Sequence, residues 1–126
     1  MSYALITGAS SGIGRCYAIE MAKRGYNIVA VSNQPQQLDE VARQINADYG
    51  VEVMPIAIDL ASERAAKRIF DTCNASGYDV EVLICNAGML LFSTLTRTSP
   101  ESLNTIITLH CTTTTLLCRY FGEQMK

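Results

Sequence analysis

The 126-residue chain has the length of a single domain, and its 48% hydrophobic residues suffice for a core. Its net charge of −2 argues against nucleic acid or an anionic membrane surface as a partner. No apolar run approaches the roughly 20 residues of a membrane-spanning helix, and no basic segment precedes an apolar one at the N-terminus. We therefore expect neither a nucleic-acid partner nor a membrane partner.

The cysteines indicate a reducing environment. There are five of them, an odd number, and no Cys-x-x-Cys pair occurs. We interpret them as reduced thiols of a cytoplasmic protein that serve mostly as packing residues. The chain has one histidine, His110, and we therefore expect no metal site.

Short apolar segments typical of strands alternate with helical patterns four times along the chain. The predicted strands are Tyr3–Thr7, Ile28–Val31, Val51–Ile58 and Val82–Cys85. The predicted helices are Gly12–Arg24, Gln36–Tyr49, Ser62–Asn74 and a last one that starts at Pro100 and includes Met125. In the first helix the apolar face is predicted from Ile13, Tyr17, Met21, Ala18 and Ala22. In the last helix it is predicted from Leu103, Ile106, Ile107, His110, Leu117, Phe121 and Met125.

Fully apolar strands separated by helices are typical of a parallel sheet that is covered on both faces. Right-handed crossovers then give a doubly wound α/β fold with strand order 3-2-1-4. Ligands of such sheets bind at the carboxyl ends of the strands. Four segments are expected to meet there: Thr7–Gly14, Ser32–Asn33, Asp59–Leu60 and Asn86–Gly88.

The segment Thr7–Gly14 predicts a phosphate-binding turn, because it follows a strand and opens a helix. Backbone N–H groups at a helix start have no partner within the helix, and the helix dipole favours an anion there. Glycines at positions 8, 12 and 14 would let a phosphate approach those N–H groups. The sequence therefore predicts a dinucleotide-binding unit.

Three motifs together resemble the short-chain dehydrogenase/reductase family, whose fold is Rossmann-like. They are Gly8-x-x-x-Gly12-x-Gly14, Asp59-Leu60 and Asn86-Ala87-Gly88. The resemblance spans the chain but only the first half of the family's usual length, that is, its first four βα units. It implies an NAD(P)-dependent oxidoreductase that transfers hydride between nicotinamide and a carbonyl or alcohol carbon.

The resemblance also implies which residues contact the cofactor. Asp59 and Leu60 would contact adenine, although Asp59 could instead cap the turn into the third helix. Asn86, Ala87 and Gly88 would line the cofactor's ribose. The expected cofactor-binding set is Gly8, Ser10, Ser11, Gly12, Ile13, Gly14, Ser32, Asn33, Asp59, Leu60, Asn86, Ala87 and Gly88.

Cofactor choice depends on Ser32 and Asn33. They stand where the family's NAD users carry an aspartate and its NADP users an arginine. Because neither is a carboxylate that would repel a 2′-phosphate, we expect NADP to be preferred, with NAD as the alternative. Arg15 could help to neutralise a phosphate or could be a solvated helix residue.

Two further departures concern catalysis. His110 stands where the family has an asparagine that holds a catalytic water; it is either a core histidine or a group that positions water. Cys85 replaces the first of two asparagines and is expected to be a small buried residue.

The last helix packs in a dimer interface in many members of the family, and we expect a homo-oligomer formed through it.

The family's catalytic Tyr-x-x-x-Lys pair is absent from these 126 residues, because no tyrosine is followed four residues later by lysine. We expect residues 1–126 to be an NAD(P)-binding domain truncated before the catalytic segment, either a fragment of a longer enzyme or a truncated product. Two alternatives to the cofactor-binding half of an oxidoreductase stay open. One is a nucleotide-binding or regulatory module without catalysis, and the other is a remnant that no longer binds.

Overall fold

Parallel pairing of four strands defines the architecture of the computed structural model, which describes residues 2–88 and 94–125. The strands are β1 (Ser2–Thr7), β2 (Asn27–Ser32), β3 (Val53–Ala57) and β4 (Asp79–Cys85). They pair in the order β3-β2-β1-β4, and every pairing is parallel. The predicted doubly wound α/β fold and its strand order 3-2-1-4 are therefore confirmed.

Helices cover both faces of this sheet. They are α1 (Gly12–Lys23), α2 (Pro35–Tyr49), α3 (Ala65–Ala75) and α5 (Thr114–Gln124). A further helix, α4 (Pro100–Ile107), contacts the segment that follows it. One apolar cluster lies between the sheet and the helices α1 and α2, and a second lies between the sheet and the helices α3 and α5. Within the described ranges, no helix has the length and apolar character needed to cross a membrane.

Two predicted boundaries were wrong by three residues. Helix α3 begins at Ala65 rather than at Ser62, because Ser62 lies in a turn and its backbone carbonyl accepts a hydrogen bond from the N–H of Ala65. Strand β4 begins at Asp79 rather than at Val82, since Asp79 already pairs with Ser2 of β1. The acidic residues at the start of β4 concealed this pairing from a search for apolar runs.

The buried face of α1 differs from the predicted one. Gly14, Ala18 and Ala22 are buried, whereas Ile13 is 69% and Tyr17 44% exposed. Small residues at every fourth position allow the helix to pack close to the sheet. Ile13 and Tyr17 of the predicted face therefore point away from the sheet, whereas Met21 packs at the edge of the buried cluster.

Between α4 and α5 the helical path continues through a π-helical segment, Thr108–Thr113. Its wider turn places the buried residues Thr108 and Thr113 five positions apart, after which Leu117 and Phe121 follow at intervals of four. The predicted face assumed a uniform period and was wrong for Ile107, which is 56% exposed, for His110, which is exposed, and for Met125, which is 40% exposed.

The cysteines also depart from the prediction. Cys73 alone among the five is buried, and Cys16, Cys85, Cys111 and Cys118 are exposed free thiols. Cys85 was expected to be a buried packing residue, but it ends β4, and β4 pairs only with β1 within the described residues. The sequence pattern could not show which side of β4 lacks a neighbouring strand.

Candidate cofactor site

The glycine-rich turn is held against the neighbouring strand. The backbone N–H groups of Gly8 and Ala9 both donate to the carbonyl oxygen of Val31, at 2.8 and 3.2 Å. Gly8 has a φ of 70°, a backbone conformation that L side chains rarely adopt. The turn therefore leaves β1, touches the end of β2 and enters α1.

Helix α1 starts with Ser11 as its N-cap. Ser11 has an extended backbone and makes no side-chain capping hydrogen bond. A serine hydroxyl at this position usually accepts a hydrogen bond from a first-turn N–H group. The first turn of α1 therefore has backbone donors that Ser11 leaves for another acceptor, as a phosphate site requires.

Gly14 has a packing role that the sequence did not reveal. A Cβ atom at this position would lie 2.0 Å from the carbonyl oxygen of Gly8 and 2.6 Å from Nδ2 of Asn86. The start of α1 thus contacts both the turn and the end of β4. Close packing of protein against protein is thus one reason for glycine at this position, and access of phosphate to the helix start stays a prediction.

Thr7 joins the end of β1 to the end of the adjacent strand β4. Its buried hydroxyl oxygen accepts the backbone N–H groups of Asn86 and Ala87, at 3.0 and 3.1 Å. The Asn86 amide Nδ2 in turn donates to the carbonyl of Gly8, at 3.5 Å. These bonds fix the segment Asn86–Gly88 beside the glycine-rich turn.

Ser32 is buried at the end of β2. Its hydroxyl donates to Oγ of Ser10 at 2.7 Å and accepts the backbone N–H of Gln34 at 3.1 Å. Because Oγ of Ser10 accepts this bond, its own proton is available to a further acceptor. Asn33, by contrast, is exposed.

Asp59 follows β3 and is exposed. Its carboxylate accepts the backbone N–H of Ala61 at 2.9 Å. Asp59 therefore caps the turn after β3, as one of its two predicted roles required. Leu60 is buried, and its carbonyl accepts a hydrogen bond from the hydroxyl of Thr113 in the π-helical segment. This bond ties the last helical path to the loop after β3.

A cavity of about 590 Å³ opens where these segments meet, at the carboxyl ends of the strands. It is lined by Gly8, Ser10, Ser11, Ser32, Asn33, Asp59, Leu60, Asn86, Ala87 and Gly88 from the predicted set. It is also lined by four residues that the sequence analysis missed, Gln34, Ala61, Thr105 and Leu109. The spacing of Thr105 and Leu109, four residues apart on one helix, could have suggested a shared face.

Three predicted residues do not line this cavity: Gly12, Ile13 and Gly14. Gly12 has a φ of 58° and instead lines a neighbouring hollow together with Ser10, Ser11 and Arg15. Arg15 is half-buried and donates from Nη2 to the side chain of Gln44. Its Nε is buried without a hydrogen-bond partner in the described part of the chain.

His110 lies beside the end of the Asn86–Gly88 segment. A Cβ atom at Gly88 would be 3.1 Å from Cε1 of the imidazole. The residue is exposed, so the core-histidine interpretation is wrong. Over residues 2–88 and 94–125, no group of three or more His, Cys, Asp or Glu side chains could hold a metal ion.

The sequence profile of the short chain dehydrogenase family matches residues 2–126. The very-long-chain 3-oxoacyl-CoA reductase of Kluyveromyces lactis is 34% identical over 127 residues, which cover 99% of this chain and 37% of the relative. The same enzyme of Bos taurus is 42% identical over 89 residues, 69% of this chain and 27% of the relative.

Solved structures give a similar picture. L-sorbose reductase from Gluconobacter frateurii, complexed with NADPH and L-sorbose, superposes with a TM-score of 0.91 at 31% identity, over 98% of this chain and 47% of that one. A short-chain dehydrogenase from Sphingobium yanoikuyae in complex with NADPH gives 0.90 at 31% identity, over 98% and 48%. The chain thus spans about half the length of these structures and 37% or less of the two curated relatives.

Proposed function

Because the chain belongs to the short-chain dehydrogenase family, we propose that residues 1–126 are the NADP-binding half of an oxidoreductase acting on a carbonyl or alcohol substrate. The observation that carries the proposal is the cavity at the strand ends, where the glycine-rich turn, β2, the loop after β3 and Asn86–Gly88 converge. The similar L-sorbose reductase and the Sphingobium yanoikuyae dehydrogenase are NADPH complexes.

The residues present fit a dinucleotide. The N-terminal turn of α1, from Ser11, would hold the pyrophosphate with its free backbone donors. Asp59 and Leu60 would contact adenine, and Asn86 to Gly88 would line the cofactor's ribose. When bound, the nicotinamide supplies or accepts the hydride.

The polar groups near Ser10 support a preference for NADP. Ser32 donates to Ser10, which leaves the Ser10 hydroxyl proton for an acceptor such as a phosphate oxygen. Arg15 lies at the adjoining hollow with its Nε unpartnered among the described residues. Of the residues that line the main cavity, Asp59 is the one with a charged side chain.

Asn33 is proposed as the residue that discriminates between the two dinucleotides. We expect Asn33→Arg to raise the ratio of NADP to NAD affinity about tenfold, since a guanidinium can donate two hydrogen bonds to a phosphate. Asn33→Asp should lower the same ratio about tenfold by repelling the phosphate. Because Asn33 is exposed, neither change should disturb the fold. Side-by-side calorimetric titrations with NADP and NAD measure the ratio, and equal ratios in both variants would refute the assignment.

Catalysis by the 126-residue chain alone is expected to be absent, because it contains no Tyr-x-x-x-Lys sequence to protonate a developing alkoxide. We propose that His110, beside Gly88, positions water at the cavity, since imidazole can both donate and accept hydrogen bonds. The measurement is NADPH oxidation over a panel of ketones and aldehydes. Turnover above a heat-denatured control, abolished in His110→Gln, would show that the proton donor lies within this chain.

Two alternatives differ from this proposal in their NADPH affinity and in their part in turnover. They are a nucleotide-binding module without catalysis and a remnant that no longer binds. A module binds NADPH without taking part in turnover, and a remnant does not bind. The intact lining of the cavity favours binding over loss of it.

Cytoplasmic location and self-association are further parts of the proposal. Free thiols are typical of a reducing compartment, and all five cysteines are free. Exposed Ile107 and Met125, together with the outer edge of β4, offer surface for a second copy. Light scattering of the purified chain measures the assembly.

A further inference from the structure

Two cysteines meet at the outer end of β4, outside the hydrogen-bonded framework of the cavity. Side chains alternate along a strand, so Cys85 points to the same face as Leu83. Leu83 packs against the cluster that contains Leu117 and Phe121 of α5. Cys118 follows Leu117 directly, and α5 packs against β4. The fold therefore brings residues 33 positions apart in the sequence to one place.

The two thiols are neighbours, because the Cys118 side chain is close enough to act on the ionisation of the Cys85 thiol. Both residues are exposed, so a reagent in solution can reach them. Of the other cysteines, Cys73 is buried, whereas Cys16 on α1 and Cys111 in the π-helical segment are exposed. A disulfide requires two sulfur atoms at close range, and Cys85 and Cys118 are the two cysteines that the packing of α5 on β4 brings together.

The pair lies next to the candidate cofactor site. Cys85 is in register with Thr7 of β1, whose hydroxyl accepts the backbone N–H of Asn86. Asn86 follows Cys85 directly and lines the cavity. A covalent bond at Cys85 would therefore tie the strand end that carries Asn86 to α5.

We propose that Cys85 and Cys118 form a redox-active dithiol that closes to an intramolecular disulfide by exchange with a low-molecular-weight disulfide such as oxidised glutathione. The inference concerns a modification site and does not depend on the proposed oxidoreductase function. It assigns different roles to the two thiols in two successive exchange steps.

In the first step the thiolate of Cys118 attacks one sulfur of oxidised glutathione. The glutathione S–S bond breaks, a mixed disulfide forms on Cys118, and one glutathione thiolate leaves. In the second step the thiolate of Cys85 attacks the Cys118 sulfur, and the second glutathione leaves as thiolate. The two protein thiols lose two protons and two electrons, and one molecule of oxidised glutathione becomes two of the reduced form.

The order of the steps follows from the surroundings of Cys85. Cys85 is exposed as a residue but its sulfur is partly desolvated, and this desolvation, together with the neighbouring Cys118 thiol, raises the pKa of Cys85 to about 11. A thiol with a raised pKa is a poor first nucleophile at neutral pH, because little of it is thiolate. Once Cys118 is in the mixed disulfide, the sulfur that Cys85 attacks belongs to its neighbour, so the second step is intramolecular.

The test exposes the reduced 126-residue chain to excess oxidised glutathione, quenches with acid and an alkylating reagent, and measures intact mass and disulfide-linked peptides. We expect the main product to have lost two hydrogen atoms and to link the peptides of Cys85 and Cys118. Cys85→Ser should instead accumulate a glutathione adduct on Cys118. Cys111→Ser, at another exposed cysteine of the same helical path, should leave the linked product unchanged.

A parallel reaction in concentrated urea shows whether the selectivity comes from the fold. In urea we expect the disulfide between Cys85 and Cys118 to be no longer the main product. Adducts spread over Cys16, Cys111 and Cys118 without the intramolecular link would overturn the proposal. The same product distribution in folded and unfolded chain would also overturn it. Circular dichroism of each variant confirms that the comparison is made on folded protein.

Discussion

Gly14→Ala is expected to destabilise the fold by at least about 3 kcal/mol, which many domains of this size cannot tolerate. The added Cβ would lie 2.0 Å from the Gly8 carbonyl oxygen and 2.6 Å from Nδ2 of Asn86. The first obstacle is backbone, so a side-chain rotation cannot relieve it. Either the start of α1 must move away from the turn, or the turn must move away from β4. Urea unfolding followed by circular dichroism measures the loss.

Gly122→Ala provides the matched control for this prediction. Gly122 is exposed within α5, and a Cβ there would meet nothing within 4 Å. Alanine in a helix interior is more stable than glycine by roughly 0.5–1 kcal/mol, so this variant should gain stability. If both variants unfold at the same urea concentration as the unmodified chain, the packing role of Gly14 is wrong.

Ser11→Asp is expected to reduce NADPH affinity at least tenfold, or about 1.4 kcal/mol, while leaving the protein as stable as before. Aspartate is as good an N-cap as serine, and its charge suits the helix start. The same charge would occupy the anion site at the start of α1 and repel the pyrophosphate. Ser11 is exposed and makes no capping bond, so its replacement breaks no contact of this kind.

Ser11→Asn is the control, since it has nearly the shape of aspartate and is also a good N-cap but carries no charge. We expect Ser11→Asn to bind NADPH more tightly than Ser11→Asp. The difference in affinity between the two variants should become smaller at high salt. Calorimetric titration at two salt concentrations measures both effects. Equal NADPH affinities of the two folded variants would refute the proposal that the pyrophosphate binds at the start of α1.

The sequence was a good guide to which segments meet, because carboxyl ends of parallel strands share one edge of the sheet. That argument brought together Ser10, Ser32, Asp59 and Asn86, and the structure places all four around one cavity. It could not assign their roles. Ser32 and Asn33 are adjacent in the sequence, yet Ser32 is buried in a hydrogen bond to Ser10 and Asn33 is exposed.

Other features depend on packing that a periodic pattern does not encode. The π-helical segment shifts the buried face by one residue, so His110 leaves the predicted core and Thr113 enters it. The face of α1 is selected for small size rather than hydrophobicity, which a search for large apolar residues misses. Cys85 is exposed because one edge of β4 has no neighbouring strand among the described residues.

Calorimetric titration of the folded 126-residue chain with NADPH tests the central claim most directly. The account predicts saturable binding of one NADPH per chain, at least as tight as that of NADH under the same conditions. Helical and strand content measured by circular dichroism on the same sample establishes that the cavity is formed. No saturable binding by such a folded sample would contradict the account and favour a remnant that keeps the fold without the ligand.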